Sequence, residues 1–309
     1  MKSAIVGTTS WACATALVKT PKQAAIQLAS LLPVTNAMNP THTFRLLTLV
    51  AALWHGCAAI AHEFWIDPYS NILDRGDPLV ANLRNGQLFE GIALAWFETR
   101  IERFDLVSGE SISPVQGRMG DVPALQSQAD ADGLLIILHE TKPATLTYTE
   151  WEKFLAFAAH KDFPDAASYH EASGWPTDRF REDYTRHAKA LLAVGSGSGA
   201  DRAFGLKTEF IALSNPYEAS FNGQMQVALE FEGTPRSNAQ VEVFERAPDG
   251  SVTVSLSRTD AMGQVTVPTQ PGHSYLFDAV VLRPAPEAGT TESAPVWLSH
   301  WAALTFAVP

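Results

Sequence analysis

GQMQVALEFEGTPRSNAQVEVFERAPDGS, Gly223 to Ser251, decides the class of fold. In MQVALEF, Met225, Val227, Leu229 and Phe231 alternate with Gln226, Ala228 and Glu230, and AQVEVFE begins the same pattern again at Ala239. Alternation of this kind is the period of a half-buried strand, whose successive side chains point to opposite faces. EGTPRSN and APDG, rich in Gly, Pro, Asn and Asp, are the turns between strands. Toward the C-terminus VTVSLSRTDAMGQVTVPTQPGHSYLFDAVVLRPA and WLSHWAALTFAVP continue the pattern, and FGLKTEFIALSNP precedes it. Roughly seven strands without a helix predict an immunoglobulin-like or transthyretin-like sandwich over residues 206–309.

Upstream, GSGSGAD from Gly195 to Asp201 reads as a flexible loop or interdomain linker, bounded here as 196–205. Before it, 149–195 reads as a helical segment. TEWEKFLAFAAH offers Thr149 as N-cap with Glu152 three residues on, and Trp151, Phe154, Leu155 and Ala158 on one face. TDRFREDYTRHAKALLAV, 177–194, predicts a second helix, with acids early and Lys189 late. Residues 62–148 read as a β domain of short strands between turns such as DPYSN and DRGDP, including the continuous apolar run GLLIILHE and the alternating PATLTYT. The whole is thus expected to be mainly β, two β-sandwich units with a helical insertion between them.

The N-terminal region reads differently. LLTLVAALWHGCAAIA, Leu46 to Ala61, is too short for a comfortable bilayer span and ends in Ala59-Ile60-Ala61, small residues at a signal-peptidase junction. Residues 1–61 are therefore read as leader and cleaved signal peptide, with Met38 as the true start, and the protein as periplasmic with no stable membrane insertion after cleavage. Cleavage removes both cysteines, Cys13 and Cys57, and leaves His62 as the first residue. A formal charge of -11 without a basic cluster argues against a nucleic-acid partner. No nucleotide loop, nucleophile elbow, HExxH helix or cysteine metal motif is present, which turns the reading from enzyme toward binding protein.

Two features could carry chemistry. At a free amino terminus His62 offers amine and imidazole as one chelate, a nitrogen-rich arrangement that suits copper(II) or nickel(II). The plain alternative is a histidine left at the end of an edge strand. Glu63 follows it directly. The other histidines are scattered. His139 closes the GLLIILHE strand, either as a ligand or as a hydrogen-bonded rim residue. His160 and His170 flank KDFPDAASY near Asp162, Asp165 and Glu171, where a cation could sit in what is otherwise a solvated loop. His187 reads as a helix-end charge or packing residue, and His300, between Trp297 and Trp301, as structural. The tryptophans read as core, with an aromatic sugar platform as the alternative.

AHEFWIDP after a signal peptide, ATLTYTEWEKFL, YTRHAKALL, GLKTEFIALSNPY, TDAMGQVTVP and WLSHWAALTF together resemble a bacterial periplasmic family of unassigned function. Its members are often described as periplasmic components of nickel or cobalt uptake systems. The resemblance implies a signal-bearing, β-rich protein that presents a nickel, cobalt or copper ion to a membrane transporter, with His62 carrying the site. Where relatives tend to have a histidine in a late strand, this chain has DAVVLRPAP. The expected metal set is His62, Glu63, His139, His160 and His170. The alternatives are a non-catalytic periplasmic protein- or glycan-binding module without metal, and a copper oxygenase built on a histidine brace.

Overall fold

A computed structural model describes residues 62–309; the predicted leader and signal segment lies outside the described residues. The chain is mainly β and is built on a central ten-stranded sheet. That sheet has the order β15 (Val252–Arg258), β14 (Gln240–Arg246), β17 (Ser274–Pro284), β18 (Trp297–Ala307), β10 (Phe180–Val194), β8 (Gly133–Thr141), β5 (Ile101–Ser108) and β6 (Ser111–Pro114), with β2 (Ile72–Leu73) and β9 (Ala144–Tyr148) also pairing to β10. A four-stranded sheet of β1 (Glu63–Pro68), β3 (Pro78–Gln87), β4 (Glu90–Leu94) and β7 (Leu125–Gln128) makes one sandwich with it. A second four-stranded sheet, β11 (Thr208–Ala212), β12 (Gln224–Phe231), β13 (Thr234–Pro235) and β16 (Gln264–Pro268), makes the other.

Strand pleating explains why the two sandwiches can share a sheet. Ile137, Ala190, Phe244, Leu276 and Ala303 point into the core under β1 and β3. Their neighbours Ile136, Leu138, Leu191, Val243, Phe277 and Leu304 point into the core with Met225, Val227 and Leu229 of β12. Each buried aliphatic side chain contributes roughly 1.5–3 kcal/mol. Where both faces of a central strand are covered, a polar residue on it is forced inside, and this is how the charged groups described below come to be buried.

Two short helices, α1 (Trp151–His160) and α2 (Ala166–Ala172), cover the rest of the first face. Phe154, Phe157 and Ala158 of α1 pack on Val280, Trp297 and Trp301. The expected α1 is present, but its N-cap is Glu150 rather than Thr149, and it makes no side-chain cap. KDFPDAASY, expected as a loop, contains the start of α2.

The second predicted helix is a correction. Residues 180–194 form β10, the longest strand. It runs parallel to β18 from Glu182 opposite Trp297 to Ala190 opposite Thr305, and antiparallel to β9 and β8 on its other edge. Ala, Leu, Lys, Arg and Glu favour a helix by only a few tenths of a kcal/mol each, and pairing on both edges plus burial on both faces overrides that. The alternation was hidden because its charged members, Glu182, His187 and Lys189, are buried.

GSGSGAD, expected as a flexible linker, is fastened. Asp132 accepts bonds from Ser196 N (2.9 Å) and Ser196 Oγ (2.5 Å), and Ser198 O accepts from Leu134 N at 2.8 Å. Asn215 Nδ2 donates to the carbonyls of Gly197 and Gly199.

Candidate functional site

The start of β1 meets the end of α1 over the central sheet, and charged side chains converge there. Glu242 on β14 and Asp278 on β17 are cross-strand partners. Val241 and Val243 face the second sandwich, so the pleat turns Glu242 to the first. Above them, Lys161 at the C-terminus of α1 places its ammonium on both carboxylates, hydrogen-bonded to Glu242 and, at 2.9 Å, to Asp278. Glu63, the first residue of β1 and 1% exposed, brings a third carboxylate to 3.7 Å from Lys161 Nζ. Trp301 forms the floor, with Lys161 4.8 Å and Arg186 4.0 Å from its ring centroid. His160 closes the rim, Nε2 to Glu242 Oε1 at 2.7 Å.

The cluster carries acid in excess, and its protonation follows. Burial, with the Asp278 charge next, raises the Glu63 carboxyl to about 7, against which Lys161 is the main opposing pull. Burial likewise raises Asp278. For Glu242 burial also raises, but the bonds from His160 and Lys161 together outweigh it and hold this carboxyl below its usual range. Burial works against the Lys161 charge, and its three acidic neighbours outweigh burial, so the ammonium is retained. One oxygen each of Glu63 and Asp278 has no hydrogen-bond partner.

His62 stands beside this cluster. Its carbonyl accepts a bond from Arg186 Nη1 at 2.7 Å while the residue itself is exposed. Of the expected ligands, the fold therefore groups His62, Glu63 and His160 at one seam. His139 is elsewhere: 2% exposed, it lies between Phe64 and Phe104, ring centroids 5.2 and 4.9 Å away, with both nitrogens unpartnered. Burial, then His187, depress its pKa to about 3, so it is neutral. His170 is in the α1–α2 core, where both ring nitrogens are committed: Nε2 donates to Pro176 O at 2.9 Å and Nδ1 accepts from Trp297 Nε1 at 3.0 Å. Among the described residues no group of three or more His, Cys, Asp or Glu side chains is placed to hold a metal ion. Trp65, Trp96, Trp297 and Trp301 are buried, and Trp151 and Trp175 are half-buried core neighbours, so none of them is an exposed platform.

Sequence reasoning missed Lys161, Arg186, Glu242, Asp278 and Trp301 as site residues. The available signal was an acid at an inward position of an apolar strand, as in QVEVF and LFDAV. A second buried lysine shows what a purely structural cluster looks like here. Lys189 Nζ is bonded to Asp201 Oδ1 and Oδ2, Arg202 O and Phe210 O at 2.9–3.0 Å, and paired with Glu209 at 2.8 Å. Glu209 also accepts from the amides of Phe204 and Leu206. Every group of that cluster is satisfied, and it pins the 195–205 loop to β10.

Residues 59–283 match the family described as a domain of unknown function, DUF4198. No curated protein matches the chain. Among solved structures the chain is similar to a DUF4785 family protein from Legionella pneumophila subsp. pneumophila str. Philadelphia 1, at 8% identity and TM-score 0.20, over 69% of this chain and 51% of that one. It is also similar to the D0-D1 domain of intimin, at 12% identity and TM-score 0.18, over 79% of this chain and 97% of that one. A third is the tetra-tandem repeat in the extending region of a large adhesion protein, at 11% identity and TM-score 0.18, over 79% and 49%. The chain spans about half the length of the first of these.

Proposed function

The chain belongs to the DUF4198 family, and within that family of unassigned function we propose that it is a periplasmic transition-metal-binding protein whose cargo is held at His62. Signal cleavage after Ala61 frees the α-amine of His62. Amine and imidazole then chelate nickel, cobalt or copper(II), and the ion is passed to a membrane transporter. The observation that supports this best is the fixing of the His62 carbonyl by Arg186, with its imidazole left exposed. A backbone held in place loses less freedom on chelation, so less of the binding energy is spent on ordering the terminus. The acidic excess at Glu63, Glu242 and Asp278 adds a local field that favours a cation. The amine, with a pKa of about 8, must lose its proton to bind, so affinity falls as the pH is lowered.

Intact-mass measurement of the secreted protein tests the terminus directly: a chain beginning at His62 is expected. Calorimetric titration of nickel and copper then compares this form with His62→Ala and with a form carrying one extra alanine before His62. The extra residue keeps the imidazole but moves the amine, and both changes are expected to weaken binding at least tenfold, about 1.4 kcal/mol. Equal affinity in all three forms sinks the proposal.

A further inference from the structure

β15 ends the central sheet, with β14 on one side and, among the described residues, no strand on the other. Its sequence is VTVSLSR, Val252 to Arg258, and it pairs with β14 in one unbroken register. Sheet edges are ordinarily blunted by lysine, proline, a bulge or a very short strand. The opposite edge follows that rule, since β6 has four residues and ends in Pro114. β15 has seven residues and none of these devices.

The two ends of the β14–β15 hairpin fix which backbone groups face the open edge. Ala247 N donates to Ser251 O at 2.9 Å, and Thr259 N donates to Ala239 O at 3.0 Å. Hydrogen-bonded and non-hydrogen-bonded pairs alternate along an antiparallel ladder. Ser251, Thr253, Ser255, Ser257 and Thr259 therefore bond to β14, and the N–H and C=O of Val252, Val254, Leu256 and Arg258 point outward. The side chains add to this. Val254 and Leu256 lie opposite Phe244 and Glu242, hence on the first-sandwich face, and are 43% and 63% exposed. Val252, two residues earlier, is packed against that core. Outward amides beside two exposed apolar side chains are a template for another strand.

The strand is complementary to itself. When two copies pair antiparallel, outward residues must oppose outward residues, so a two-fold axis can pass through Ser255. Val254 is then opposite Leu256 of the partner subunit, and Leu256 opposite the partner's Val254. On the other face Thr253 meets the partner's Ser257, a pairing of hydroxyls that sheets favour. The only charge on the strand, Arg258, meets no like charge: it stands opposite the partner's Val252 and is already paired to Asp162 of its own chain at 2.7 Å. An axis through Leu256 would instead set Val254 against Arg258 and leave Val252 without a strand residue opposite it.

We propose that the chain pairs with a second copy of itself, β15 against β15, antiparallel about Ser255, so that two central sheets join into one. This pairing does not depend on the reading of His62.

Ser255 would face itself at a non-hydrogen-bonded position, where Cα atoms are about 4.5 Å apart and within disulfide reach. The test uses the full chain with Cys13→Ser and Cys57→Ser, so that every thiol is an introduced one, and diamide as oxidant. Adding Ser255→Cys is expected to give a disulfide-linked dimer. Adding Thr253→Cys, at an equally exposed position, is expected to give none, because its own copy lies four residues away, roughly 13 Å. Mixed with the Ser257→Cys chain, it is expected to cross-link. Analytical ultracentrifugation of the cysteine-free chain between about 1 and about 100 μM is expected to show reversible dimerisation, and Leu256→Lys to weaken it at least tenfold with the urea midpoint kept. Monomer mass throughout that range, or equal cross-linking through Thr253→Cys alone and Ser255→Cys, overturns the pairing.

Discussion

Replacing Glu63 by glutamine is expected to stabilise the fold above neutral pH, although it removes a partner of Lys161. Burial and the Asp278 charge raise the Glu63 carboxyl from 4.5 to about 7 in the folded protein. Between those values the folded state holds a proton that the unfolded chain has released. The stability from Glu63 is therefore whole below pH 4.5 and lost as pH rises through about 7. A gap of about 2.5 pH units amounts to roughly 3 kcal/mol, arriving with a slope of about -1.4 kcal/mol per pH unit. Glutamine has the same shape and no proton to lose. Urea unfolding of both proteins from about pH 5 to about pH 8 should show nearly equal stabilities in acid and a variant favoured by up to roughly 3 kcal/mol in mild alkali. Parallel curves, or a glutamine variant that is the weaker one at about pH 8, would refute the assignment of excess buried acid to this seam.

Other substitutions probe the same architecture. Lys161→Met removes the ammonium shared by Glu63, Glu242 and Asp278, and a loss of about 3–5 kcal/mol is expected at neutral pH, shrinking in acid as the carboxyls protonate. Urea unfolding at two pH values reads both effects. His170→Phe keeps the ring but orphans Trp297 Nε1 and the Pro176 carbonyl, for a loss of about 1–3 kcal/mol visible as a lower Tm. Gly263 has φ +72°, and a Cβ there would sit 2.9 Å from both Arg236 N and Leu229 O; Gly263→Ala should lose more than about 1 kcal/mol in chemical denaturation. Arg186→Met frees the His62 carbonyl, and nickel affinity by calorimetry is expected to fall several-fold with the far-ultraviolet spectrum unchanged.

The legibility of the fold varied with how each element is stabilised. β12 and β14 were readable because Met225, Val227 and Leu229 alternate with polar or small residues, and α1 because Phe154 and Ala158 recur at helical spacing. β10 was misread because its pattern reflects four strand partners rather than one wet face. The same difference governed the site. His62 and Glu63 could be found directly after an apolar run, whereas Glu242 and Asp278 are 36 residues apart and meet only through strand register.

Local pattern set the class: alternating apolar strands, turn residues between them, an acidic chain, and a histidine after an apolar run. These are local properties, set by side-chain periodicity and backbone preference within a few residues. Tertiary structure alone decided which polar residues are driven inside. A strand with both faces covered has no solvent side, so Glu242, Asp278, His187 and Lys189 are buried and must find partners from distant strands. That is why Lys189 is saturated, Lys161 is crowded by acids, and His187 is left facing Glu140 from the next strand.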